Sequence, residues 1–431
     1  VKVASIKGFR DVLPDEAELR RRIVEGSIEV LRSYGYREIE VPMMENAELF
    51  RRTVGATTDI VEKEMYAFAD RDESVIALRP EGTASVVRAY LEAGLARALP
   101  VARLFYYGPM FRRERPQKGR FRQFTQIGAE FIGRDDPETD AETICLVDDI
   151  CRVARLGPVR IEVNSLGDAA CRPAYREALT EYGRGKLERL CADCKNRIER
   201  NPLRLLDCKN EACRAATEDA PMMIDHLCES CAGHHHSVLE LVEAAGVTVH
   251  ANPRMVRGLD YYCKTAFEIS AEGLGAQGAV GGGGRYDGLV AQLGGADLPG
   301  IGFAFGLERM QLAAEAAGNA EAPAVRDSIL VAPIGAAARG PALLLARRLR
   351  GALRVVELGQ ADRKLKAQLK RADKIGARWV VIVGDEELAS GKATVRDLVR
   401  HSDRTGCFAL RDDAQTMLAS MENAEETPGE A

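Results

Sequence analysis

Six cations, Arg112, Arg113, Arg115, Lys118, Arg120 and Arg122, fall within eleven residues, with Glu114 as the only acid among them. Guanidinium forks match phosphate oxygens two at a time, so such a cluster can clamp a polyphosphate. A solvated basic hairpin tip would show the same charge run. Two details favour the clamp: Arg112 reads as part of a strand rather than the tip, and Glu114 can hold its arginine neighbours in place. The stretch from Leu104 to Ile132 reads strand, loop, strand. On the return strand, period two puts Phe121, Ile127, Ala129 and Phe131 on an apolar face and Gln126, Gly128 and Glu130 on the other. Two polar groups flanking a glycine make a flat floor for a ligand.

Other residues point the same way. Glu81 sits between Pro80 and Gly82-Thr83, where a strand ends and a helix begins. A corner side chain can point into a cleft, although Glu81 could equally offset the helix dipole. The run Gly281 to Gly284, ahead of Arg285 and Tyr286, weakens a strand unless a ligand or another backbone comes close. It matches neither a Walker A loop nor a dinucleotide fingerprint. Gly300, Gly302 and Gly306 keep bulk off a strand before a helix that starts near Leu307. Arg309, in that helix's first turn, faces the positive end of the dipole; a phosphate would resolve the conflict, and so would pairing with Glu308 or Asp297.

Cys191-x2-Cys194, Cys208-x4-Cys213 and Cys228-x2-Cys231 are three close pairs. Any two pairs suffice for one tetrahedral structural zinc, and His226 or His234 could replace a thiolate. A small segment with few large apolar residues gains most from such a staple. Free thiols acting as small buried hydrophobes are the alternative.

The elements that position these groups follow from length and pattern. A chain of 431 residues exceeds one core and implies two or three domains. Its 46% hydrophobic and 29% charged residues describe an ordinary globular protein. No apolar run approaches the roughly 18 residues of a membrane span, and VKVASIKGFRD lacks the apolar centre of a signal peptide. With an odd count of eleven cysteines, which suits reduced thiols or metal ligands, the expectation is a cytoplasmic protein. Pro14 and Asp15 open a helix that Gly35 ends, and the strand YREIEVP follows up to Pro42. Residues from about 170 to 245 read as a helical, cysteine-rich insertion, VRGLDYYCKTAFEIS as a strand with Tyr261 and Tyr262 on opposite faces, and AAEAAGNAEAPAVR (313–326) as a linker. Beyond it, alternating strands and helices read as an α/β module with a largely parallel sheet. Residues 327–413 hold 17 Lys/Arg against 11 Asp/Glu, while 414–431 hold four Glu and no base. A basic module on an acidic body suggests a polyanion partner, and the acidic end is expected to fray.

FRRERPQKGRFRQF followed by QIGAE resembles motif 2 of the class II aminoacyl-tRNA synthetases, in the form found in histidyl-tRNA synthetases. RGLDYY from Arg257 and GGGGRYDGL from Gly281 resemble that family's two histidine signatures, and GIGFAFGLERM from Gly300 resembles motif 3. The similarity runs from about Gly8 to Leu410, and the HIGH and KMSKS signatures of class I are absent. The resemblance implies an α+β catalytic domain with a mostly antiparallel sheet over 1–325, an anticodon-binding α/β domain over 327–413, and a flexible tail over 414–431. It implies a homodimer, built on the helix and Pro-terminated strand that look like motif 1, with tRNA(His), L-histidine and ATP as partners and Mg²⁺ on the phosphates. It assigns Arg257 to catalysis, and Arg112, Glu114, Arg120 and Arg309 to ATP. Glu81 and Thr83 are assigned to the substrate ammonium, with Gln126, Glu130, Tyr261, Tyr262 and Tyr286 around the histidine. Catalytically silent paralogues serve as regulatory subunits of ATP phosphoribosyltransferase, but these usually lack the C-terminal module and have degraded signatures.

Overall fold

The computed structural model describes residues 3–55, 58–275, 278–319, 328–352 and 354–422. The chain divides into two compact units, Val1–Ala320 and Glu321–Ala431.

The first unit is built on eight strands: β1 (Arg37–Glu38), β2 (Ala102–Phe111), β3 (Gln123–Ile132), β4 (Val159–Ser165), β5 (Val249–Ala251), β6 (Cys263–Ala271), β7 (Ala279–Arg285) and β8 (Gly300–Gly306). They lie in the order β1-β2-β3-β8-β7-β6-β4-β5. The six strands from β2 to β4 in that order are antiparallel, and short parallel strands close both edges. The expected mostly antiparallel sheet is therefore present. β2 and β3 pair over their full length, from Ala102 opposite Ile132 to Phe111 opposite Gln123.

One face of the sheet is covered by α1 (Pro14–Ser33), while α2 (Thr83–Glu92) borders the other; α3 (Pro137–Val153), α4 (Glu229–Ala244) and α5 (Leu307–Ala316) join α1. α1 starts with Pro at its first position and Asp15 and Glu16 in its first turn, and Gly35 at φ +79° turns the chain after it. Leu19, Ile23 and Leu31 of α1 meet Ile127, Ala129 and Phe131 of β3 in the main core. Each fully buried Leu or Ile there contributes about 1.5–3 kcal/mol. The two-faced reading of β3 therefore holds from Ile127 to Phe131. Phe121 does not share that face: the strand begins at Gln123, and Phe121 lies in the turn, with the Arg10 guanidinium 4.5 Å from its ring centre.

Other expectations need correction. The strand expected over YREIEVP shrinks to two residues; Ile39 still donates to Phe105 O at 2.9 Å, but the chain then leaves the sheet edge. It joins instead a small antiparallel sheet of Met44–Asn46, Ala67–Ala69 and Val75–Leu78. The insertion contains helices Arg172–Arg184, Ala192–Arg200 and Glu211–Ala216 around their own core of Tyr175, Leu179, Ile198, Leu205 and the cysteines. It ends before α4, not at 245, because Val238 and Val242 of α4 enter the main core against α3. Tyr261 and Tyr262 precede β6 in a turn, so strand alternation does not govern them. The stretch read as a linker begins inside α5, where Ala313 and Ala314 are buried, and its residues from 320 onward lie outside the described residues.

In the second unit, β9 (Ile329–Pro333), β10 (Val356–Leu358), β11 (Trp379–Val383), β12 (Lys392–Asp397) and β13 (Ser402–Ala409) lie in the order β10-β9-β11-β12-β13. Only the first three are parallel. The sheet is mixed because the connections 384–391, from β11 to β12, and 398–401, from β12 to β13 with His401 at φ +53°, are both too short for the crossover that parallel strands require. Helices α6 (Arg339–Gly351) and α8 (Ala414–Glu422) cover one face, packing Leu345, Leu349, Met417, Leu418 and Met421 around Trp379. α7 (Leu365–Lys374) covers the other face. The chain therefore does not fray at Asp413. The Asp413 carboxylate accepts from Gln415 N and Thr416 N at 2.9 and 3.0 Å, and the apolar stripe behind that cap is buried. The rest of the acidic end, 423–431, lies outside the described residues. No helix among the described residues is long and apolar enough to cross a membrane.

Candidate active site

On the sheet face turned away from α1 lies a cavity of about 350 Å³. Its lining includes Glu81, Thr83, Gln126, Tyr261 and Tyr262 together with Arg112, Arg120, Arg257 and Arg309. Segments far apart in sequence thus converge as the resemblance implied. Glu130, Tyr286 and Glu114 stand one layer behind the lining.

The part of the lining that bears Glu81 is buried and acidic. The Glu81 carboxylate accepts from Thr83 N at 2.8 Å and Ala84 N at 3.0 Å, so it caps α2 and lines the cavity at once. Burial pushes its pKa up, against those two N–H groups and Arg112. Glu130 is fully buried and accepts from Thr83 Oγ1 and from the Tyr286 hydroxyl, each at 2.7 Å. Burial pushes it up to about 8. Gln126 Oε1 is buried with no hydrogen-bond partner, an acceptor facing the place a ligand donor would occupy. The Tyr261 and Tyr262 rings lie 4.7 Å apart, and Tyr261 meets Tyr286 at 6.0 Å. Tyr106 of β2 also lines the cavity. A Cβ on Gly82 or Gly128 would come within 2.3 Å of its ring. The motifs did not reveal Tyr106; its signal was its place opposite Gly128 on the hairpin.

Glu130 has a consequence for stability. Its folded pKa of about 8 exceeds the ordinary 4.5, so the native state binds the extra proton between these values. The contribution is fully present below about pH 4.5 and is lost as pH rises through 8. Its slope is at most about 1.4 kcal/mol per pH unit. Glu130→Gln should flatten the fall in ligand-free stability across that window, measured by urea unfolding at pH 5 and pH 8. Equal slopes in the two proteins would remove Glu130 as the proton-linked group.

The arginines form the cationic part of the lining. Arg112 stands one residue past the end of β2, not inside it, though its N–H continues the ladder to Arg122 O at 3.0 Å. Its Nε donates to Pro80 O at 2.8 Å, tying the hairpin to the Glu81 corner. Arg120 pairs with Glu114 at 3.2 Å, the holding role expected of that acid. Arg309 donates to Ala279 O at 2.5 Å, while Glu308 is engaged by Arg20 at 2.7 Å and by Thr125 N. Burial and the nearby Arg120 hold the Arg309 pKa below its usual value, a conflict that an anion would relieve. Arg257 Nη1 lies 3.2 Å from Glu268 Oε2 and its guanidinium 5.4 Å from the Tyr262 ring centre. A Cβ on Gly282 would come within 2.7 Å of Arg257 Nη1, so the glycine run admits this arginine.

A buried support lies under the site. Arg285, completely buried, donates through Nε to Asp140 at 3.0 Å and through Nη1 to Asp287 and Arg134 O. Burial pushes the Asp140 pKa up, but His234 and Arg285 hold it below the usual range. His234 Nε2 sits 2.7 Å from Asp140 Oδ2. It is therefore not a candidate thiolate substitute, and His226 lies against Tyr175, with ring centres 5.3 Å apart. Among the cysteines, Cys191, Cys194, Cys208 and Cys213 converge, their sulfurs all within 4.8 Å of one another. Cys228 and Cys231 are not part of this group.

An antiparallel sheet carrying arginines over its strands and a helix after its last strand is the architecture of a class II aminoacyl-tRNA synthetase body. Residues 8–310 match the family model for histidyl-tRNA synthetase, and 328–415 match the anticodon-binding domain model. The chain is 49% identical over 394 residues to a histidine–tRNA ligase of Geobacter metallireducens, covering 91% of this chain and 94% of the relative. A second, from Syntrophotalea carbinolica, is 47% identical over 418 residues, covering 97% and 99%. The crystal structure of apo S. aureus histidyl-tRNA synthetase matches with a TM-score of 0.80 at 32% identity, covering 97% of this chain and 100% of that one. The chain belongs to the histidyl-tRNA synthetase family.

Proposed function

We propose that this protein is a histidine–tRNA ligase acting through the 350 Å³ cavity. The observation that carries the reading is one cavity whose lining joins a buried acid-and-tyrosine group, Glu81, Thr83, Tyr261 and Tyr262, to four arginines, Arg112, Arg120, Arg257 and Arg309. The histidine carboxylate attacks the α-phosphorus of ATP, forming the acyl-phosphate bond as the bond to pyrophosphate breaks. A ribose hydroxyl at the 3′ end of tRNA(His) then takes the histidyl group and AMP leaves. Phosphoryl transfer of this kind needs mainly positioning and charge neutralisation.

In this reading Glu81 and Thr83 meet the substrate ammonium, and Gln126, Glu130, Tyr261, Tyr262 and Tyr286 surround the substrate histidine, Glu130 and Tyr286 from behind the lining. A neutral imidazole offers one donor and one acceptor, and an analogue lacking either leaves a buried partner unpaired. Such mismatches give about 10⁴–10⁵-fold discrimination. Arg112 holds the α-phosphate, Glu114 and Arg120 the nucleotide, and Arg309 the γ-phosphate. Arg257 stabilises charge at the α-phosphate during attack. Mg²⁺, a hard cation, suits the carboxylate oxygens of Glu268, which lines the cavity, and bound to ATP it would neutralise phosphate charge. Cys191, Cys194, Cys208 and Cys213 would hold a structural zinc within the insertion.

The second unit would meet the tRNA anticodon. Lys366, Lys370 and Lys374 are exposed at fourfold spacing along α7, a cationic stripe suited to phosphates. The protein would act as a homodimer, with exposed Met44 and Phe68 on the small sheet, and Met43 just before it, as apolar contact surface. It would work in the cytoplasm, consistent with eleven free cysteines. The regulatory-paralogue alternative is not favoured, since the C-terminal domain and all the site arginines are present.

Aminoacylation of total tRNA with each amino acid in turn tests the function, and charging with anything other than histidine would overturn it. Removing residues 327–431 should spare histidine-dependent pyrophosphate exchange more than charging. A folded fragment that charges tRNA as well as the whole chain would exclude the second unit from tRNA binding.

A further inference from the structure

Cys228 and Cys231, left out of the first cysteine group, meet two residues that the spacing of close pairs did not suggest. Their sulfurs, Cys171 Sγ and a carboxylate oxygen of Asp168 all lie within 4.8 Å of one another. We propose that Asp168, Cys171, Cys228 and Cys231 form a second structural metal site, taking zinc or a similar thiophilic divalent cation, that clasps the two ends of the insertion.

The donor set is three sulfurs and one carboxylate oxygen, which suits a closed tetrahedral zinc site. Bonds of about 2.3 Å from metal to sulfur place tetrahedral ligands about 3.8 Å apart. In the first group Cys191 Sγ and Cys208 Sγ are separated by 3.9 Å, close to that edge and far beyond the roughly 2.05 Å of a disulfide.

Both groups are also held in the manner of metal knuckles. Cys191 N donates to Cys213 Sγ, and Cys228 N donates to Cys171 Sγ, each at 3.1 Å. Such N–H donors stabilise thiolate charge and orient the ligands. Asp168 is fixed as well: its Oδ1 accepts from Ala170 N at 2.9 Å and Cys171 N at 3.2 Å. The tight turn before it passes through Gly167 at φ +59°, where a Cβ would sit 2.9 Å from that of Cys171.

The position of the second site gives it a purpose the first lacks. Asp168 and Cys171 precede the insertion's first helix, and Cys228 and Cys231 open α4, where the chain re-enters the main core. A metal here joins residues 57 positions apart and closes the insertion at its root. The insertion in turn touches the site. Asn201 donates to Asp260 at 2.9 Å, Arg204 lies 3.4 Å from Asp59, and Arg172 donates to the carbonyl oxygens of Leu166 and Tyr262. The clasp therefore fixes the insertion against the loop that carries Arg257 to Tyr262. It does not depend on the proposed reaction.

The test is elemental analysis of the full chain, purified without a histidine tag, with cysteine alkylation mapped by mass spectrometry. Two zinc ions per chain are expected. Cys191→Ser with Cys194→Ser should retain one, and Cys228→Ser with Cys231→Ser should retain one. In the unmodified folded protein, Cys171, Cys228 and Cys231 should resist alkylation until a strong chelator is added, a readout that stands even if a variant fails to fold. A single zinc with Cys171, Cys228 and Cys231 alkylated at the same rate with and without chelator would overturn the proposal. So would a disulfide among these three in protein kept reduced throughout.

Discussion

Arg257→Ala should lower histidine-dependent pyrophosphate exchange by about 10²–10³-fold while leaving the fold intact, the usual cost of losing one preorganised charge donor. Arg257 is half-buried at the cavity wall, its Nη1 3.2 Å from Glu268. The glycine at 282 leaves it room that any side chain would take. Its removal leaves Glu268, a partly exposed carboxylate that water can solvate, so stability should change little. Histidine binding should survive, because the groups assigned to the histidine are other residues. Exchange within a few-fold of the unmodified enzyme, in protein with an unchanged melting temperature, would remove Arg257 from the mechanism.

Asp140→Ala should cost about 3–5 kcal/mol of stability, since removing one partner strands a buried charge. Arg285 has no exposed surface and relies on Asp140 for its closest carboxylate contacts. Asp140 also anchors His234 of α4. The adjacent Tyr286 hydroxyl bonds Glu130, so the loss should also raise the KM for histidine more than it lowers kcat. Urea unfolding and steady-state exchange measure the two effects. A variant with unchanged midpoint would show that Asp287 and the Arg134 carbonyl suffice to hold Arg285.

The difference between these two residues explains what a sequence can disclose. Arg257 lies in a short signature, and the alternation of β3 put Glu130 on the ligand face, because both depend on near neighbours. Asp140 and Arg285 are 145 positions apart, and nothing local distinguishes Asp140 from the other acids of α3. Asp168 and Cys171 were missed for the same reason: close cysteine pairs are visible in a sequence, but a ligand set drawn from both ends of an insertion is not. The Tyr261-Tyr262 pair failed differently. Aromatic residues favour strands, yet here the chain must turn to bring both rings beneath the same cavity. Likewise only Glu422 of the four acids in 414–431 lies within α8, and a charge count over the whole tail hid that helix's buried Met417, Leu418 and Met421.

Tyr106 bears on any attempt to recode the enzyme for a larger amino acid. Its ring is wedged over Gly82 and Gly128, neither of which has a side chain left to trim. Directed evolution of the pocket would therefore have no gradual route to extra room on that wall. Shortening Tyr106 itself is the first available step, and saturation libraries at the two glycines should return almost exclusively inactive clones.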